Sequence, residues 1–320
     1  MSFRPSLTLS LRQILGVLFG IGLLMALLWY SGLLSSPAAT RPLPLWLWVL
    51  APLLLLLSHG FRGARIYAEL SAHGAVAPGA CLRIGLLHSA AVNLVPLRGG
   101  ELAYPWLVHR HTGMGRMHAV ASLLRMRGQD LVVLALLGLL LLPPWPLALR
   151  LLAMATLAIL VTFSLWRLRR AGRHASAGAG DSRLRQVVQA LVAGGQHAVS
   201  GWVYCIASWL VKLAAVGALL AAAGGLPADA ALRGGLAGEL SALWPLQAPA
   251  GLGTYEAGVF LGAVWPPGGA AAPAVLAAAL LAHATIWVTT VGAAAVAWIG
   301  WGGLPAPALR GLAFGPGRDQ

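Results

Sequence analysis

The residues best suited to chemistry in this chain are charges stranded in apolar sequence. Arg98, Arg125, Arg127 and Lys212 are set against Glu101, Asp130, Glu239 and Glu256. Each such side chain costs about 2.5–3.5 kcal/mol at the centre of a membrane helix on insertion scales. Facing lipid, the whole set would exceed the stability margin of about 5–15 kcal/mol that a fold possesses. These groups must therefore face inward, pair with one another or sit near an interface. A guanidinium in that setting is a bidentate partner for phosphate. The carboxylates would orient the cations, or bind a cationic group or a proton.

Spacing points to particular pairs. Arg127 and Asp130 are three residues apart, hence on one face of a helix. Arg98 and Glu101 flank Gly99-Gly100. Lys212, the sole lysine, falls within SWLVKLAAV and has Glu239 or Glu256 as candidate partners. The plainer role for all of these pairs is internal salt bridging that holds the chain in register.

The elements that must position them are interrupted in a recurrent way. NLVPLRGGE (Asn93 to Glu101) and WPLQAPAGLGTYE (Trp244 to Glu256) each run an apolar segment into proline, then glycine, then glutamate. Paired Gly/Pro interruptions in two halves of a membrane protein point to a transport site, because irregular backbone is tolerated in a bilayer only when buried or lining a cavity. Around Pro96 and Gly100, a helix beginning after the break would aim free N–H groups into a cavity, a position suited to phosphate. In the second block Pro245 and Pro249 prevent regular helix, while Gly251 and Gly253 permit positive φ or close backbone approach. Thr254 is placed to cap the next helix, with Glu256 in its first turn.

Composition places those elements in a membrane. Hydrophobic residues make up 59% and charged residues 9% of the 320 residues, against roughly 25% charged in soluble domains. The net charge of +14 would suggest nucleic acid in a soluble protein. Here it falls between apolar runs and reads as topology, so no nucleic-acid partner is expected. Spans are expected at about 12–34, 43–57, 118–142, 147–166, 199–223 and 274–300. The interrupted segments 80–108 and 236–264 have arms too short to cross a bilayer, which takes about 20 helical residues. With the N-terminus inside, Arg4, Arg12, Arg62, Arg65, Arg83, Arg110 and the arginines of the 167–185 loop share one side with Arg310 and Arg318. Only Arg41, Arg150 and Arg233 fall on the other. That asymmetry requires both interrupted segments to be re-entrant hairpins, one from each face.

The expected fold is thus an all-α integral membrane protein with about six transmembrane helices, two oppositely oriented re-entrant helical hairpins and an inverted repeat. It forms one polytopic domain over 1–320, with half one at about 1–166, a basic loop at 167–185 and half two at about 186–303. Both termini are expected in the cytoplasm. High Ala, Gly and Arg usage suggests a GC-rich bacterial genome, which places the chain in an inner membrane.

The same residues resemble the integral membrane region of lysylphosphatidylglycerol synthases and related stand-alone flippase-like proteins. The family's Asn-x-x-Pro-x-x-x-Gly-Glu block is met by Asn93, Pro96, Gly100 and Glu101, its Arg-x-x-Asp pair by Arg127 and Asp130, and its late Pro, Gly-x-Gly-x-x-Glu block by Pro245, Gly251, Gly253 and Glu256. The resemblance covers roughly residues 10–300. It departs at Met126, where a glutamate is frequent, at Ala248, where a serine is frequent, and near His283, where an arginine is common. These departures bear on substrate more than on fold.

The resemblance implies a lipid flippase that moves a phospholipid or lipid-linked head group. The synthase reaction is not expected, since no long polar region follows Gly300. The substrate-binding set is Asn93, Pro96, Arg98, Gly100, Glu101, Arg127, Asp130, Lys212, Glu239, Gly251, Gly253 and Glu256. No catalytic constellation, P-loop, cofactor motif or metal-ligand cluster stands out, and His109-x-His111 lacks a carboxylate or cysteine at ligand spacing. The chain is therefore not expected to be an enzyme. Two alternatives remain: an integral-membrane transferase acting on lipid-linked substrates, or a non-catalytic membrane partner of a separately encoded lipid-modifying enzyme. In every case the expected partner is a membrane lipid, phospholipid or glycolipid.

Overall fold

The computed structural model describes residues 41–71, 74–141, 145–175, 198–242, 251–264 and 272–300, with helical positions at 18, 21, 22, 24–26, 28 and 29. Helices account for the regular structure, with no strand among the described residues. In chain order they are α1 (Leu45–Ser71), α2 (Pro78–Leu94), a 3-10 segment (Pro96–Leu102), α3 (Ala103–Thr112), α4 (Arg116–Leu141), α5 (Leu147–Ala175), α6 (Ala198–Gly224), α7 (Ala228–Ser241), α8 (Thr254–Val264) and α9 (Ala272–Gly300). Pro78 starts α2 where its missing N–H is not needed. Gly113, at φ 72°, ends α3 in the left-handed region that a side chain disfavours.

Three of the described helices are long and apolar enough to cross a membrane: Leu45–Ser71, Val199–Gly224 and Ala272–Gly300. Helix α4 has the length, at 26 residues, but carries Arg125, Arg127 and Asp130 through its middle. The outer surface is apolar, as lipid contact requires. Val199, Val203, Ile206 and Leu210 form an exposed stripe at helical spacing on α6. Trp46, Val49 and Leu53 on α1 and Val288, Val296 and Ile299 on α9 are likewise exposed.

Inside, α1 packs along α6, α2 lies against α9, and α7 lies against α4 and closely along α8. Leu47, Leu55, Val216, Leu219, Val259 and Val275 centre one core. Ile66, Leu70, Ile84, Tyr104 and Val108 centre a second around α1 to α3. Val133, Leu134, Trp209, Leu213 and Leu236 centre a third, joining α4, α6 and α7. The Ser58 hydroxyl donates to the Ser208 carbonyl at 2.8 Å, a buried polar tie between α1 and α6.

Two boundaries differ from expectation: the span placed at 147–166 continues as α5 to Ala175, into the segment expected to be the basic loop. The second span, placed at 43–57, continues as one helix to Ser71. Arg62 and Arg65, assigned to a connecting segment, therefore ride on α1. Leu55, Ile66 and Leu70 share one helical face through those charges, and all three are buried. Most of the first expected span, most of the 167–185 loop and residues 243–250 with Pro245, Ala248 and Pro249 lie outside the described residues.

Candidate functional site

The interior charges converge on Asp130 of α4, which is 6% exposed. Its Oδ1 accepts from Arg65 Nη1 at 2.7 Å and from Trp209 Nε1 at 3.0 Å. Its Oδ2 accepts from Arg127 Nη1 at 3.2 Å. Arg65 is fixed further by its Nε, which donates to Gln129 Oε1 at 2.9 Å, and by an Nη2 contact to the Met126 carbonyl. The three acceptors of Arg65, on Met126, Gln129 and Asp130, come from about one turn of α4, so the helix itself shapes the cradle around Arg65.

A second pair of charges lies beside the first. Arg127 Nη2 meets Glu101 Oε1 at 2.7 Å. The other Glu101 oxygen is 3.3 Å from His88 Nε2 on α2. Across the interior, Lys212 Nζ on α6 donates to Glu239 Oε2 on α7 at 2.6 Å. The Trp209 ring has the Arg62 guanidinium 5.5 Å from its centroid and Lys212 Nζ at 5.4 Å, both within cation–π range. Arg125 pairs with Glu69 of α1.

These side chains surround a cavity of about 410 Å³. Its charged lining is Arg62, Arg65, Arg127, Lys212, Asp130 and Glu239, joined by His59, His88, Ser58, Asn93 and Thr290. Leu55, Leu131, Leu134 and Ile286 supply apolar wall, and Gly251 contributes backbone from the second interruption. His59 Nε2 is 3.1 Å from Thr290 Oγ1, tying α1 to α9 at the cavity wall. The size falls in the roughly 300–1,000 Å³ range of small-molecule sites. No group of three or more His, Cys, Asp or Glu able to hold a metal occurs among the described residues.

Of the residues singled out in the sequence, Asn93, Arg127, Asp130, Lys212, Glu239 and Gly251 line this cavity. Glu101 stands behind Arg127 as its partner. The expected Arg127–Asp130 pair forms, but Asp130 is closer to Arg65. Lys212 takes Glu239 and not Glu256. Pro96 opens the 3-10 segment, and the side chains of Pro96 and Arg98 lie outside the described residues. Sequence reasoning missed Arg62, Arg65, His59, His88 and Trp209 as cavity residues. The usable signal for the two arginines was the unbroken apolar spacing around them.

Two local expectations are corrected. No open helix N-terminus follows Gly100, because the 3-10 segment runs directly into α3 and Ala103 N–H bonds back to the Glu101 and Gly100 carbonyls. Those N–H groups are used within the turn, so a phosphate cradle of backbone donors is not formed there. Gly100 matters for another reason: it is buried against α2, where a Cβ would collide with the Ala91 carbonyl.

The second correction concerns Thr254, which does not cap α8. Its hydroxyl donates to the Gly251 carbonyl at 2.9 Å. The cap comes from Glu256, whose Oε2 accepts the Gly253 N–H at 2.7 Å, the carboxylate half of a capping box. Gly251 and Gly253 adopt φ of 79° and 81°, as their positions suggested. The other Glu256 oxygen binds His283 Nδ1 at 2.6 Å. Glu256 is fully buried, and neither it nor Gly253 lines the cavity. Their part in the site is to hold the break that presents Gly251.

The arrangement is a chamber rich in guanidinium and ammonium donors, inside a bundle with an apolar exterior. It can bind a polar or anionic group. A family model described as the lysylphosphatidylglycerol synthase TM region matches residues 13–294. No curated protein and no solved structure gives a significant match. With helices fit to cross a bilayer, an interior of paired charges and a family match over most of its length, the chain belongs to the lysylphosphatidylglycerol synthase TM region family, a family of lipid-related membrane proteins.

Proposed function

We propose that this protein is a lipid transporter of flippase type in the bacterial inner membrane, and that its cavity receives the polar head group of a phospholipid or lipid-linked substrate. The observation that carries this reading is the charged chamber of about 410 Å³ within a bundle whose outer surface is apolar. A site that sequesters charge inside a membrane protein marks a substrate path. Arg62, Arg127 and Lys212 would contact the head group, Asp130, Glu101 and Glu239 would hold them in place, and Leu55, Leu131 and Ile286 would face its apolar continuation.

The proposed architecture has six spans, both termini cytoplasmic, and two interrupted units, α2 to α3 and α7 to α8, entering from opposite faces. Support comes from the packing: each unit lies beside the helix that precedes it and beside the helix that follows the other unit, α9 for the first and α4 for the second. An inverted repeat within a single domain has that pattern of neighbours.

The test is reconstitution of the full chain in vesicles with a head-group-labelled phospholipid, following loss of outer-leaflet signal to a membrane-impermeant quencher. Wild-type protein should move label between leaflets faster than empty vesicles, and Arg127→Gln should bring the rate close to that of empty vesicles. Wild-type rates equal to empty vesicles with every lipid tried sink the reading. Covalent change of the lipid in the same vesicles identifies a transferase instead.

A further inference from the structure

Among the described residues, the ion pairs around the cavity leave one lining cation over. This inference rests on the head-group reading above. Three cations of the lining each have a carboxylate: Arg65 has Asp130 at 2.7 Å, Arg127 has Glu101 at 2.7 Å and Lys212 has Glu239 at 2.6 Å. The other described carboxylates are engaged elsewhere, Glu69 with Arg125, Asp229 with Arg233 and Glu256 with His283. Arg62 lines the chamber and makes no ion pair with a carboxylate among the described residues, with Asp130 and Glu239 acting on it only from farther off. Its neighbour is the ring of Trp209, which Lys212 Nζ also approaches. An aromatic face attracts a cation without neutralising it. A guanidinium in a membrane interior that lacks a counter-ion is completed by an anion, and its planar fork matches phosphate oxygens in pairs.

We propose that the corner formed by Arg62, Trp209 and Lys212 is a phosphate seat, and that the protein selects lipids whose head group carries net negative charge. A phosphodiester there meets Arg62 directly and Lys212 across the ring. A zwitterionic head brings an ammonium into a chamber whose carboxylates are each ion-paired with a resident cation, with Glu239 Oε1 the one buried lining oxygen that lacks a hydrogen-bond partner among the described residues. A cationic aminoacyl head adds like charge next to Arg62 and is refused.

The experiment measures binding of three short-chain lipids to the purified full chain: dihexanoyl phosphatidylglycerol, dihexanoyl phosphatidylcholine and the lysyl ester of dihexanoyl phosphatidylglycerol. Wild type should bind the anionic lipid roughly tenfold or more tightly than the zwitterionic one, and the lysyl ester weakest of all. Arg62→Gln should erase that order, and Arg62→Lys should keep most of it. Because Arg62 has no carboxylate to orphan, Arg62→Gln without lipid should unfold at or above the wild-type temperature.

Equal wild-type affinity for the anionic and zwitterionic lipids overturns the inference and leaves the head-group reading standing. An order that persists in Arg62→Gln overturns the seat. An Arg62→Gln protein that melts well below wild type, or does not fold, makes Arg62 a structural residue and also overturns the seat. Wild type that binds none of the three overturns the head-group reading together with this inference.

Discussion

The two interrupted units look alike in sequence and are built for different ends. In the first, α2 turns through a 3-10 elbow into α3, and the glutamate after the glycines reaches outward to hold Arg127 at the cavity. In the second, the glutamate after the glycines turns back on its own backbone, taking the Gly253 N–H and the ring of His283. The arms differ as well. Gly258 and Gly262 press α8 onto α7, where a Cβ on Gly262 would stand 2.5 Å from that of Ala237 and 2.6 Å from the Arg233 carbonyl. Close small-residue packing of this kind joins helices tightly in membranes. One glutamate thus serves the electrostatics of the chamber and the other serves the geometry of its frame. A shared motif predicts a shared backbone interruption and says little about which partner its carboxylate finds.

That contrast can be broken most sharply at Asp130, the acceptor that both Arg65 and Arg127 share. Asp130→Ala leaves two interior cations short of a partner and should cost about 3–5 kcal/mol, visible as a large drop in thermal unfolding temperature in detergent. A near-wild-type melt would mean the cluster is solvated and the division of roles is wrong.

The next test sets the two glutamates side by side. Glu101→Gln should lower lipid movement tens-fold, since the charge-assisted hydrogen bonding lost to Arg127, about 1.5–3 kcal/mol, lies at the cavity. Glu256→Gln should lower the melt by a similar free energy while the folded fraction keeps its rate per molecule. Matching phenotypes for the two would erase the distinction. The smallest effect belongs to the α7–α8 seam, where Gly262→Ala should overpack the contact by about 1–3 kcal/mol. A seam that accepts alanine without loss in chemical denaturation would show that the second unit is looser than its spacing implies.

Much of this was legible before any coordinates. Low charge and long apolar runs pointed to a membrane bundle, and three helices have the required length and character. The glycine pattern located Gly251 and Gly253 at positive φ, and the i,i+3 spacing found the Arg127–Asp130 contact. What escaped were pairings made by tertiary contact. Nothing local tells Arg65 that its carboxylate lies on α4, or Glu256 that its partner is His283 on α9. Arg62 and Arg65 were read as topology markers because charges usually end a span. Here α1 continues through them, since the charges turn inward with Ile66 and Leu70, which the same helix buries. The backbone donors expected after Gly100 were lost for a subtler reason: a 3-10 turn satisfies the same N–H groups that a fresh helix start would expose.

Gly251 gives the chamber one wall made of main chain in a left-handed turn, a conformation that side chains rarely adopt. Mutation has little purchase on that wall. If the chamber receives a lipid head group as proposed, selectivity belongs to its side-chain walls, and a relative with altered cargo should betray itself first at the positions of Arg62, Trp209 and Lys212.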